Sequence, residues 1–112
     1  MHVTNGSPEL IKEFYGEIPK KTMRSVVAIH NGKPVAVAGV TPIPQGYALF
    51  SDMSDEFRKH KSFKRTLIKG YRMLLSSLPD VKIYSHADPE IEGSETLLKH
   101  LGFIRGGELW LG

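Results

Sequence analysis

The order strand, helix, strand between Tyr47 and His86 restricts this chain more than any other feature. Tyr47–Met53 reads as a strand, the segment opening near Ser62 as a helix, and Val81–His86 as a further strand. A helix between two such strands makes a crossover, so the strands lie side by side and parallel. Upstream, Ser25–His30 and Val35–Val40 flank Asn31-Gly32, the strongest short hairpin signal a sequence carries. An antiparallel meander therefore leads into one parallel pair. A mixed sheet of this kind needs helices on both faces. The expected fold class is α/β (α+β mixed), in a single domain over residues 1–112.

The remaining elements follow from local signals. Ser7 is placed to cap a helix whose first residue is Pro8, with Leu10, Ile11 and Phe14 on the buried side and Gly16 and Pro19 ending it. Thr41–Gly46 reads as a loop, because Pro42 and Pro44 would break a central strand. In the long helix, Ser62 is expected to cap through its hydroxyl. Phe63, Leu67, Tyr71, Leu74 and Leu75 recur at helical spacing, with Ile68 widening the stripe, and Leu78-Pro79-Asp80 ends it. Residues 92–101 read as a second helix with Leu97, Leu98 and Leu101 inward. Phe103–Arg105 and Leu109–Leu111 read as a closing hairpin around Gly106-Gly107. Trp110 packs that last strand, and as a terminal edge it is a place where two copies could pair as a homodimer.

Composition narrows the function classes. Hydrophobic residues at 40% and charged residues at 24% are ordinary for a globular protein, and no apolar run reaches the roughly 18 residues of a membrane span. There is no cysteine, so thiolate nucleophiles, disulfides and Cys-based zinc sites are excluded. His30 and His100 lack metal-ligand spacing, and no metal is expected. Glu90, Glu92 and Glu95 suit the N-terminal end of the second helix. The start of the sequence, Met1–Ser7, lacks signal-peptide character, and a cytoplasmic location is expected.

The net charge of +3 conceals a concentrated distribution. Arg58, Lys59, Lys61, Lys64, Arg65, Lys69 and Arg72 put seven of the fifteen Lys and Arg residues in fifteen positions, and no acid occurs from Arg58 through Pro79. That segment is either a solvated helix face or an anion site for phosphate or a nucleic-acid backbone. It lacks interleaved exposed aromatics, because the periodicity places Tyr71 in the core, so nucleic acid is the less favoured partner.

The element order, together with Leu97-Leu-Lys-His-Leu-Gly-Phe103, resembles the GNAT superfamily of N-acetyltransferases over residues 24–112. More narrowly, Ser51-Asp52, the run Arg58–Arg65 and the Leu-Gly-Phe tail are similar to small GNAT-like proteins of tailed phages, among them an internal virion protein of short-tailed coliphages. The resemblance implies that the Tyr47–Met53 and Val81–His86 strands splay to admit the pantetheine arm of acyl-CoA. It also implies that the pyrophosphate rests on backbone N–H groups opening the next helix. That turn is glycine-rich in the family. Here Ser62 and Lys64 stand at glycine positions and His60 at a third, so charge must hold the phosphates or acyl-CoA binding is lost. The implied cofactor contacts are Met53, Lys59, Lys61, Ser62, Lys64 and Arg65, and the implied cofactor is acetyl-CoA.

The family commonly supplies a tyrosine as general acid just before the Leu-Gly-Phe ending, and Leu98 stands there. Asp52 and His86, late in their strands, are the candidate bases, against the plainer roles of a turn carboxylate and a turn-bonded imidazole. The family's usual first strand looks short or absent at Met1–Thr4, leaving the acceptor side open or completed by a partner. The resemblance implies an N-acetyltransferase acting on an amine of a protein, peptide or small molecule. Its alternative is a catalytically inactive GNAT-like phage protein, in the host cytoplasm or the virion.

Overall fold

The Asn31-Gly32 hairpin sits inside the sheet. Asn31 (φ 53°) and Gly32 (φ 77°) are both left-handed, as a two-residue hairpin turn with matching twist requires. The computed structural model describes residues 1–17, 24–78, 82–85, 98–99, 101–106 and 109–111. In chain order these form β1 (His2–Asn5), α1 (Pro8–Tyr15), β2 (Arg24–His30), β3 (Lys33–Ile43), β4 (Gly46–Met53), α2 (Asp55–Lys59), α3 (Phe63–Ser76), β5 (Ile83–Ser85), β6 (Ile104–Gly106) and β7 (Leu109–Leu111). One sheet runs β1-β2-β3-β4-β5-β7-β6, antiparallel throughout except for the β4–β5 pair. This is the mixed sheet that the sequence implies.

Strand alternation divides the core. Val26, Ala28, Ala36, Ala38 and Val40 meet Phe57, Leu67, Tyr71 and Leu74 of α2 and α3 on one face. Val27, Ile29 and Val37 meet Ile11 of α1 on the other, with Leu10, Phe14 and Phe50 packed around them. The helices thus cover opposite faces. A third cluster of Ile83, Leu98 and Phe103 lies beyond β4. No helix among the described residues is long and apolar enough to cross a membrane.

Several expectations change. The Thr41–Gly46 loop is largely strand, since β3 continues to Ile43 and pairs Pro42 with Tyr47. The Tyr47 N–H is given to the Lys82 carbonyl at 3.0 Å, so it faces β5. Pro42 therefore occupies a non-hydrogen-bonded pair with β4, and its missing N–H costs β3 nothing there. The recorded β2 pairing has already ended at Arg24↔Val40. The first strand is present: His2–Asn5 pairs with Val26–Ile29. Its four residues were too few to show a pattern.

Leu109–Leu111 is interior, between β5 and β6, so the outermost strand at that end is β6. The closing hairpin begins at Ile104 rather than Phe103, because Phe103 is buried with Leu98. Among the described residues the fourth sequence strand is Ile83–Ser85; Val81 and His86 lie outside them, as does most of the expected 92–101 helix, with Leu97, Glu90, Glu92 and Glu95.

The Leu-Gly-Phe ending is a helix stop. The Phe103 N–H reaches the Leu98 carbonyl (2.9 Å) and the Gly102 N–H reaches that of Lys99 (3.0 Å). Gly102 is left-handed (φ 91°). These are the two bonds of a Schellman cap, and its apolar contact is Leu98 with Phe103.

Two glycines set up opposite outcomes. A Cβ on Gly70, in mid-α3, would touch Val26 at 3.4 Å and Val3 at 3.7 Å, beside a small apolar gap. A Cβ on Gly46 (φ 151°) would run into the Lys82 carbonyl, where β4 and β5 come together. In urea unfolding, Gly70→Ala is expected to stabilise by about 0.5–1 kcal/mol through helix propensity. Gly46→Ala is expected to destabilise by more than about 1 kcal/mol. Equal effects would mean that the β4–β5 approach is not tight.

Candidate functional site

The site grows from unequal pairing along β4. On one side β4 pairs with β3 from Gly46 through Met53. On the other it meets β5 only at Tyr47↔Ile83 and Ala48↔Tyr84. Because the Tyr47 N–H faces β5, alternation turns the backbone groups of Leu49, Ser51 and Met53 the same way. Among the described residues no strand takes them. An extended amide-bearing ligand could pair there as a short extra strand.

β4 ends at Met53, which packs on the larger core cluster together with Phe63, the first residue of α3. The connection holds α2, a helix the sequence reading missed. Ser54 Oγ accepts from the Phe57 N–H (3.2 Å), and Asp55 and Glu56 fill the first turn. The signal was there, a Ser followed by two acids, but one apolar residue shows no periodicity. That residue, Phe57, is 1% exposed and meets Phe63 edge-on at 6.0 Å. The register of β2 on β3 shifts at Ala28/Ile29, leaving Val35 as the extra residue of a bulge. The Val35 carbonyl accepts the Ser54 N–H at 2.9 Å, tying the start of α2 to the sheet.

At the start of α3, Ser62 stands at the cap position but its hydroxyl does not cap. It lies 2.8 Å from His60 Nδ1, which also accepts the Ser62 N–H at 3.2 Å. The His60 ring meets His30 edge-on, 5.1 Å between centroids. The Phe63 N–H is given to the His60 carbonyl and the Thr66 N–H to that of Ser62. The Lys64 and Arg65 N–H groups keep no protein acceptor among the described residues, and they lie at the positive end of a helix of 14 residues.

The predicted cofactor contacts are therefore gathered around one turn. Lys59 ends α2, Lys61 and Ser62 form the link, and Lys64 and Arg65 open α3; all four cations are exposed. Lys64 also lies 5.9 Å over the Phe63 ring. Such a turn can take a phosphate on backbone N–H groups and charge together.

Of the two candidate bases, His86 lies outside the described residues. Asp52 is exposed near the open end of β4, on the α1 face. The Tyr15 hydroxyl donates to Asp52 Oδ2 at 2.5 Å, so Asp52 is tethered to the last residue of α1. The sequence reading had no signal for Tyr15, 37 positions away. Partial burial foremost, then the Asp52 hydrogen bond and its charge, hold the Tyr15 hydroxyl well above its ordinary value of 10.0. Leu98, where the resemblance places a proton donor, is 4% exposed and belongs to the helix cap. Among the described residues no cluster of His, Asp and Glu could hold a metal ion.

No protein-family model matches this chain, and no curated protein does. Solved structures do. The aminoglycoside acetyltransferase AAC(6')-Ib in complex with coenzyme A aligns over 99% of this chain and 93% of that one, with TM-score 0.61 and 15% identity. A GNAT-family acetyltransferase from Streptococcus pneumoniae aligns over 97% and 95%, with TM-score 0.63 and 11% identity. A ribosomal-protein-S5-alanine acetyltransferase from Vibrio fischeri aligns over 80% and 58%, with TM-score 0.56 and 16% identity. This chain has the GNAT acetyltransferase fold. Within that fold, the parallel β4–β5 contact and the α3 turn are the parts the resemblance singles out.

The Tyr15 tether makes a pH prediction. A hydroxyl whose folded pKa is raised contributes stability that is complete below 10 and is lost as pH climbs through the raised value. Thermal melts from neutral pH to about 11 should show a decline of the wild type above its ordinary tyrosine pKa. Tyr15→Phe should start lower by about 1 kcal/mol, for the lost hydrogen bond, and decline less steeply. Parallel curves would remove the tether.

Proposed function

We propose that this chain binds acetyl-CoA between β4 and β5 and transfers its acetyl group to an amine of a protein, peptide or small molecule. The observation that carries this is the open β4 edge, Leu49–Met53, leading to a basic α3 turn with two unengaged N–H groups. That the AAC(6')-Ib structures hold coenzyme A or acetyl-CoA on the same fold supports the reading. The residues present fit the cofactor: edge amides for its pantetheine arm, and Lys59, Lys61, Lys64 and Arg65 for its phosphates. Charge does the work that glycines do elsewhere in the family. Ser62 is a small residue whose hydroxyl is already satisfied by His60.

Acetyl-CoA supplies a thioester; the amine nitrogen bonds to the acyl carbon as the C–S bond breaks and the sulfur leaves. The chain's own tasks are orientation and proton removal. Asp52 is the group that takes a proton from the acceptor amine, and Tyr15 holds its Oδ2. Leu98 cannot protonate the departing sulfur. A thiol ionises near about 8.5, so a thiolate can leave and collect its proton from water.

A second reading has its own observations. Leu98 is a cap residue and the glycine positions carry side chains, as in a GNAT-shaped phage protein kept for binding a partner, in the virion or on a host protein.

Calorimetry separates the two. Acetyl-CoA should bind with a micromolar Kd, weakened at least about tenfold in the Lys61→Ala, Lys64→Ala double variant, less so at high salt. No heat at millimolar ligand would sink acetyl-CoA binding and leave the second reading. With a panel of amines, thiol release should fall about 100-fold in Asp52→Asn with acetyl-CoA affinity unchanged. Unaltered turnover would remove Asp52 from the reaction.

A further inference from the structure

The phosphate turn accounts for only the first cations of α3. Arg65, Lys69 and Arg72 continue along the helix and, with Ile68, line a shallow open groove on its outer side. At about 1.5 Å rise per residue, Lys69 lies roughly 9 Å and Arg72 roughly 13 Å beyond Phe63. A phosphate seated on the Lys64 and Arg65 N–H groups is out of their reach. All three are exposed, and no carboxylate among the described residues pairs with them. Leu67, Gly70, Tyr71 and Leu74 turn to the sheet, so the face is cationic along its length while the opposite face is fixed in the core.

We propose that this outer face of α3 is a docking surface for the phosphate backbone of double-stranded nucleic acid, read without regard to sequence. Charge complementarity carries the choice of partner. The spacings of four and three residues set three cations in one line about 10 Å long, and a duplex presents a phosphate every roughly 1.7 Å of its axis. A single strand is less suited, because such sites stack bases on exposed aromatics and Tyr71 is 6% exposed. An acidic protein is less suited too, because among the described residues no aromatic anchor interrupts the row. The face shares Arg65 with the proposed acetyl-CoA turn but extends beyond it through Lys69 and Arg72, and either reading can fail alone.

The test is fluorescence anisotropy with a labelled duplex of about 20 base pairs across a salt series. Three phosphate contacts predict a slope of log K against log salt of about −2.7, or roughly 40-fold weaker binding between about 50 and 200 mM salt. Lys69→Glu with Arg72→Glu, on the solvent side and checked for an unchanged thermal midpoint, should weaken duplex binding at least about tenfold and flatten the slope, with acetyl-CoA calorimetry unaltered. Lys61→Ala with Lys64→Ala should leave duplex binding within about threefold. No binding at about 100 μM protein in low salt would overturn the proposal, as would undiminished binding by the double Glu variant. So would a single-stranded oligonucleotide or polyglutamate bound as tightly as the duplex.

Discussion

Everything at the candidate site depends on how β4 divides its hydrogen bonds. It gives β3 its whole length and β5 only Tyr47 and Ala48. Gly46 permits the close contact at one end, where the Lys82 carbonyl takes the Tyr47 N–H. Past Ala48 no such contact holds β5 to β4 among the described residues. A sheet that pairs fully would have no room for a ligand. This one has an open edge in its interior, between apolar layers on both faces.

The turn beside that edge is held from three sides. The Val35 bulge fastens Ser54, Phe57 is buried beneath, and His60 engages Ser62 through side chain and backbone. A glycine-rich loop brings phosphates onto the backbone by removing side chains. A fixed turn with cations on both sides of Ser62 can bring them by attraction instead. At its other end α3 is closed by Ser77, whose hydroxyl donates to the Leu74 carbonyl (2.7 Å), and by Arg24, which donates to the Ser77 carbonyl (2.9 Å). A cation is well placed at that negative pole.

The Leu-Gly-Phe ending shows how one tripeptide can serve architecture. Gly102 supplies the left-handed residue, Phe103 folds back onto Leu98, and the cluster they form with Ile83 seats the chain against β5. Leu98 is therefore committed to packing. The candidate base Asp52 lies instead at the far end of β4, where it is tied to α1 through Tyr15. The tie joins two elements that already pack across Ile11, Val37 and Phe50, so its geometry rests on the core of that face.

Local rules were enough for much of this. The Ser7 cap, the Asn31-Gly32 turn, the apolar stripe of α3 and the basic run are all legible in the sequence, because each depends on neighbours within a few positions, and the mixed sheet follows from the strand-helix-strand order. What the sequence misjudged or missed required a partner, near or far along the chain, that no simple pattern announces. Pro42 sits in a strand because its partner Tyr47 turns its N–H to β5. His2–Asn5 is a strand because β2 is there to receive it. Ser62 leaves its cap for His60, and Asp52 finds Tyr15. The sequence alone determined which residues carry charge and where the long helix and the central hairpin form. Only the tertiary structure decided which edges stay open, because hydrogen bonds between strands belong to pairs of segments and not to either one.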